Sequence, residues 1–188
     1  DIWAINVEFT KSLVEISQRN KVRKFIYISS ETVQLPGIDR YTRSKKLAED
    51  EVTKHENHLI LRPTVVYGEH DQSNIGVLIK LVKHLPIVPI IGNGQQLMQP
   101  ICVSDVTRCV ISGLSDDISG IHLIAGHDPL KYIEVVTTIA ETLDRKILIF
   151  RIPIYLSYLM ARLFELVKSP ILQRSQVDNL RIDKIYSM

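Results

Sequence analysis

VRKFIYIS, residues 22–29, runs from two cations into four apolar or aromatic side chains and ends on a hydroxyl. A short apolar run without polar alternation predicts a strand covered on both faces, the kind found in parallel sheets. Parallel strands need crossover connections, and the flanking segments supply them. Upstream, residues 3–19 place Val7, Leu13, Val14 and Ile16 at roughly helical spacing. Downstream, Pro36–Gly37 marks a turn, and residues 41–56 are rich in Lys, Glu and Ala, as a helix would be. HLILRP at 58–63 is a second apolar strand, stopped by Pro63. Helix, strand, helix, strand predicts an α/β fold with a parallel sheet.

Beyond residue 70 the spacing changes. A helix is expected at 75–84, and LPIVPIIGNG, 85–94, reads as a connection punctuated by Pro and Gly. Asp105 precedes an amphipathic helix, in a capping or packing role. The strand GIHLIAG, a helix over 130–143, the strand KILIFRIP and a helix from about 154 complete the pattern. We therefore expect two parts: residues 1–70, and a mixed region 71–188 that finishes the sheet and adds a smaller, mainly α-helical substrate-binding part.

The chain has 188 residues, 45% hydrophobic and 23% charged, enough for a sizeable core. A net charge of +2 with scattered cations makes no case for nucleic acid. Cys102 and Cys109 form neither a disulfide framework nor a metal-ligand set, and they are expected to be buried small hydrophobes. The six histidines lack metal-ligand spacing, so no metal is expected, and His55 and His58 are expected in solvent. A reduced, cytoplasmic setting follows. The chain begins at Asp1 in a helix-like pattern, and an additional N-terminal portion is expected. Residues 147–167 are apolar enough to raise the question of a membrane. Arg151, Pro153, Arg162 and Glu165 interrupt them, which argues for a buried or interfacial helix, peripheral to a membrane at most, and no transmembrane span.

Candidate chemistry lies in YTRSK, residues 41–45. Residues four apart share one helix face, so Tyr41 and Lys45 can point into one cleft. Ser29 and Ser30 follow the first strand, at the carboxyl end where ligands of open α/β sheets bind. An ammonium beside a phenol favours the phenolate, and a serine hydroxyl can orient the group that exchanges the proton.

NVEFT at 6–10, FIYISSETV at 25–33, YTRSK at 41–45, LRPTVVYG at 61–68 and GNGQQLMQPICVSDV at 92–106 occur together and in order. This succession resembles the extended short-chain dehydrogenase/reductases, the NAD-dependent epimerases and dehydratases. Its later part resembles the branch containing the nucleotide-binding accessory subunit of respiratory complex I. The resemblance implies a Rossmann-like fold with NAD or NADP as cofactor. It implies Tyr41 as the acid–base, Lys45 as its partner at the nicotinamide ribose, and Ser30 as the substrate-orienting hydroxyl. Asn6 and Thr64 would lie near the cofactor. The family's Gly-rich phosphate loop would fall upstream of Asp1, since Gly92 and Gly94 make only an isolated G-x-G.

Several positions depart from the family pattern. Val65 and Met98 stand where an Asn and an Arg commonly face a nucleotide sugar's diphosphate, and neither side chain can bind phosphate. Arg62 and Arg108 are the nearest basic residues that could compensate. Phe9 replaces a usual Gly, Gln34 a usual aromatic, and only ten residues separate Ser30 from Tyr41. The leading expectation is an NAD(P)-dependent epimerase, dehydratase or reductase acting on a hydroxyl or keto group of a sugar-like small molecule. The alternative is a non-catalytic NAD(P)H-binding structural or assembly protein. Either a homodimer or an accessory subunit of a complex is compatible with the pattern.

Overall fold

The computed structural model describes residues 1–35, 39–72, 74–115 and 117–159. The expected Pro36–Gly37 turn, and the helix beyond Leu159 with Arg162 and Glu165, lie outside them. The chain packs into two units. One comprises Asp1–Val66 and Ile101–Gly126, the other Tyr67–Pro100 and His127–Met188.

In the first unit the strands β1 (Phe25–Ile28), β2 (His58–Pro63) and, further along, β7 (Gly120–Ile124) form a parallel sheet in the order β1-β2-β7. The apolar run around Phe25 is therefore a parallel strand, and the α/β, Rossmann-like arrangement is present. The helix α2 (Arg40–Val52) is the crossover from β1 to β2, and α1 (Thr10–Arg19), preceded by a wider π-type stretch over Ala4–Phe9, leads into β1 and packs against α2. Asp39 starts α2 by accepting the Thr42 N–H at 2.7 Å, satisfying one of the unpaired amides of the first turn. Val14, Val52 and Ile60 form the buried cluster between helices and sheet, with Phe25 and Tyr27 packed against it. The buried face of α1 differs from the expected stripe: Thr10, Val14 and Ser17 are covered, whereas Leu13 and Ile16 are exposed. Apolar residues occur on both sides of this helix, so spacing alone could not select the covered one. His55 is also buried, its ring centroid 5.9 Å from that of Phe25 and its Nδ1 3.1 Å from the Asn57 carbonyl. His58 is half-buried, with Nδ1 2.8 Å from the His55 carbonyl. Neither ring is fully solvated, because each finds a backbone carbonyl in the turn that leads into β2.

Val66–Tyr67 (β3) and Ile101–Cys102 (β6) are two-residue strands where the chain leaves and re-enters the first unit. In that unit α4 (Val103–Ser112) follows. Asp105 sits within the first turn of α4, ion-paired to Arg108, rather than at its cap, which is Cys102. Cys102 and Cys109 are half-buried free thiols rather than fully buried ones.

The second unit contains α3 (Asn74–His84), β4 (Ile87–Ile91), β5 (Leu97–Met98), β8 (Leu130–Lys131), α5 (Tyr132–Thr142) and β9 (Leu148–Ile152). The segment expected as a connection, 85–94, contains a strand: β4 pairs in parallel with β9, Ile87 opposite Leu148 and Pro89 opposite Phe150. A strand paired along one side tolerates a proline whose missing N–H faces away from the partner. Val88 and Ile90 turn inward onto Leu78, Val82, Val135 and Val136 of α3 and α5. Gly92 and Gly94 adopt φ of 73° and 71° in the turn after β4, a conformation that favours glycine. A Cβ on Gly94 would lie 3.1 Å from that of Ile133, so this G-x-G serves packing and turning.

Candidate active site

The first unit brings the predicted residues to the carboxyl ends of its parallel strands. At the end of β1 the Ser29 amide donates to the Leu61 carbonyl at 2.7 Å, prolonging the ladder by one residue. Ser30 is extended and caps a short 3₁₀ turn, its hydroxyl oxygen accepting from the Thr32 N–H at 3.3 Å and from the Thr32 hydroxyl at 3.1 Å. Thr64 lies just past β2, buried, with its amide donating to the Ile124 carbonyl of β7 at 3.0 Å.

The sheet-facing stripe of α2 carries Tyr41, Lys45 and Glu49, each one helical repeat from the last. Tyr41 is 39% exposed, with its phenol near the Ser30 side chain. Partial burial raises its pKa; the Ser30 hydroxyl opposes that shift, and Asp39 adds to it. Burial and Asp39 together thus favour the neutral phenol. Lys45 donates to the Ile28 carbonyl at 2.9 Å and sits 4.8 Å from the centroid of the Tyr27 ring, over its face. Burial lowers the Lys45 pKa, and Glu49 partly restores it. The expected downward pull of Lys45 on Tyr41 is not what this geometry provides; that pull comes from Ser30. Asn6 joins the group indirectly: its Nδ2 donates to the buried Ser44 hydroxyl at 2.9 Å, and Ser44 donates to the Tyr41 carbonyl at 2.7 Å. Ser30, Tyr41 and Lys45 are thus gathered around the end of β1, Asn6 braces the turn between Tyr41 and Lys45, and Thr64 stands at the end of the next strand.

Two features were not anticipated from the sequence. Tyr27, on β1 beneath α2, has a buried hydroxyl without a hydrogen-bond partner. Its pKa is pushed up to about 12, chiefly by burial, then by Tyr41 and Glu49, with the nearby Thr10 hydroxyl acting weakly the other way. The second feature is the ion pair of Glu49 with Arg62 of β2, Nε to Oε1 at 2.9 Å and Nη2 to Oε2 at 2.5 Å. Arg62 is thus committed to Glu49 in a largely buried pair, whereas Arg108 makes only an exposed pair with Asp105. The 41, 45, 49 spacing was visible in the sequence, but a strand partner for Glu49 was not. Among the described residues, no three His, Cys, Asp or Glu side chains gather as a metal site, and no helix is long and apolar enough to cross a membrane.

Curated relatives extend over nearly the whole chain. An N-acetyl-α-D-glucosaminyl-diphospho-ditrans,octacis-undecaprenol 4-epimerase of Escherichia coli O157:H7 is 21% identical, over 97% of this chain and 61% of its own length. A decarboxylating sterol-4-α-carboxylate 3-dehydrogenase of Mus musculus is 26% identical, over 91% and 56%. The chain thus spans little more than half the length of these relatives. Among solved structures, a UDP-glucuronic acid 4-epimerase from Bacillus cereus in complex with NAD superposes with a TM-score of 0.71 at 19% identity, over 79% of this chain and 55% of that one. A dTDP-4-dehydrorhamnose reductase from Bacillus anthracis in complex with NADP gives 0.70 at 19% identity, over 79% and 57%. These likenesses establish a shared fold. Residues 1–122 match the model of the NAD dependent epimerase/dehydratase family, to which this chain belongs.

Proposed function

We propose that this chain carries the acid–base half of an NAD(P)-dependent epimerase, dehydratase or reductase acting on a hydroxyl or keto group. The observation that carries the reading is the convergence of Ser30, Tyr41 and Lys45 at the carboxyl end of β1, with Lys45 one turn beyond Tyr41 on α2 and its ammonium on the Ile28 carbonyl. The residues fit the cofactor. Ser29 presents a buried hydroxyl without a partner at this strand end, and Lys45 offers a half-buried ammonium that can be drawn from the Ile28 carbonyl to ribose hydroxyls. When bound, the nicotinamide supplies the hydride chemistry. Tyr41 donates its proton to a substrate oxygen as a carbonyl is reduced, or takes it back as a hydroxyl is oxidised. Ser30 fixes the line of that transfer and lowers the cost of the phenolate while it exists, and Lys45 holds the ribose. Asn6, through Ser44, keeps the first turns of α2 in place.

Substrates of the relatives range from nucleotide sugars to a polyprenyl diphosphate sugar and a sterol acid. With Val65 and Met98 offering no phosphate ligand and Arg62 occupied by Glu49, a substrate recognised through apolar contact suits this chain better than a common UDP-sugar. A non-catalytic NAD(P)H-binding role remains a second reading, favoured by the engagement of Lys45 with a backbone carbonyl.

The test is Tyr41→Phe in the full-length protein. The reading requires NAD(P) affinity to persist in calorimetric titration while turnover falls about 10²-fold or more. Undiminished turnover would exclude Tyr41 as the proton carrier. Cofactor binding without turnover on any hydroxy or keto substrate, in the wild type as well, would support the second reading.

A further inference from the structure

The β4–β9 sheet has one face on the core of its unit and one face turned out. Val88 and Ile90 are buried against α3 and α5, with Ile149 packed beside them. By strand alternation, Ile87, Pro89, Leu148 and Phe150 occupy the opposite face. There they are exposed: Leu148 by 70%, Phe150 by 59%, Ile87 by 51%. In the helical segment that follows, 154–159, Tyr155 and Leu159 are also exposed. A contiguous exposed apolar face marks an interaction surface, whereas scattered apolar residues need no explanation.

The charge at one end of this face points to its partner. Residues 83–91 and 145–152, which contain both strands, include Lys83, Arg145 and Lys146 ahead of the strands and not one Asp or Glu; Arg151, opposite Ile90, is on the core-facing register. Because the strands run parallel with Ile87 opposite Leu148, Lys83 and Arg145–Lys146 precede the same end of the sheet. The nearest acidic residues, Glu141 and Asp144, belong to α5 and the turn after it. Apolar and aromatic side chains with Lys and Arg at one end fit the headgroup boundary of an anionic bilayer, which takes apolar groups inward and holds cations at its surface. We propose that the outer face of β4–β9, anchored by Leu148 and Phe150, docks the protein on an anionic lipid surface. This does not depend on the reading of the Tyr41 site.

Sedimentation of the full-length protein with vesicles tests it. Vesicles of equal parts phosphatidylcholine and phosphatidylglycerol should carry the protein down, pure phosphatidylcholine should carry little, and added salt should weaken the binding. Leu148→Asp with Phe150→Asp should abolish sedimentation while leaving the thermal unfolding midpoint near wild type, since both side chains face outward. Lys146→Gln should weaken it about fivefold, the equivalent of ~1 kcal/mol for one cation near such a surface. The proposal is overturned if wild type ignores the anionic vesicles or if the double variant sediments like wild type. It is equally overturned if light scattering without lipid shows that the double variant splits a dimer, since the face would then belong to a second copy.

Discussion

Replacing Arg62 by Met removes one half of a buried ion pair and leaves the other half in place. The Glu49 carboxylate, with only 5% of its side chain exposed, would lose both guanidinium hydrogen bonds and keep its burial. Breaking a buried pair from one side costs about 3–5 kcal/mol, most of it the penalty of a stranded charge. Arg62 is 18% exposed, so water reaches that end of the pair, and the lower limit of about 3 kcal/mol is expected. With a urea slope of roughly 2 kcal/mol/M, the midpoint should fall by about 1.5 M at unchanged slope. Glu49→Leu combined with Arg62→Met strands no charge and should recover most of the loss, to within about 1 kcal/mol of wild type. The single variant should also release Glu49 toward Lys45, its neighbour one turn back, and raise the Lys45 pKa. Urea unfolding followed by circular dichroism of the four proteins completes the cycle. A single-variant loss below about 1 kcal/mol, or strict additivity in the double variant, would refute the claim that α2 is pinned to β2 through this pair.

Tyr27→Phe should be neutral or stabilising by up to ~1 kcal/mol, because its buried hydroxyl makes no well-formed hydrogen bond and is only weakly engaged by Thr10; a clear loss in urea unfolding would contradict that reading. Its pKa near 12, against 10.0 for the free phenol, means the neutral form's contribution is whole below pH 10 and is lost as the pH rises toward 12. Alkaline unfolding of Tyr27→Phe should therefore be shallower over that window, and its latest absorbance change at 295 nm should disappear. Lys45→Met should impair cofactor affinity and turnover together, separable by calorimetry and single-turnover kinetics, whereas Tyr41→Phe should impair turnover alone. Gly113→Ala would place a Cβ 2.2 Å from Cδ2 of the fully buried Leu59, so a loss of about 1–3 kcal/mol is expected in thermal or urea unfolding.

HLILRP was legible as a strand because six residues carry both the apolar run and its stop, and β2 covers His58–Pro63. The Tyr41–Lys45 repeat was legible for a similar reason, since a helix places it with local geometry alone. What eluded the sequence depends on distant partners. His55 is buried because Phe25 lies beside it, and Glu49 is paired because β2 delivers Arg62. The upward shift of Tyr41 comes first from its burial and is opposed by Ser30, across a segment that no periodicity describes. The strand β4 was obscured by its own composition, as Pro86 and Pro89 are turn formers in isolation and are accommodated only once β9 supplies a partner.

The order of pairing along the chain bears on how the protein is made. Leu59 of β2 meets Gly120 of β7, and Ile87 of β4 meets Leu148 of β9. Each partner arrives about sixty residues later, a long loop to close for a small sheet. The two intervals overlap, so β4 has already left the ribosome before β7 completes the first sheet. At roughly 5–20 residues per second, β2 waits several seconds with one edge open, and β4 waits as long without its partner. A polypeptide cut between Gly126 and His127 would contain every strand of the first unit, yet also β4 without its mate. Neither unit can be released as a contiguous fragment, and a ribosome pausing within this interval would expose unpaired apolar edges of both at once.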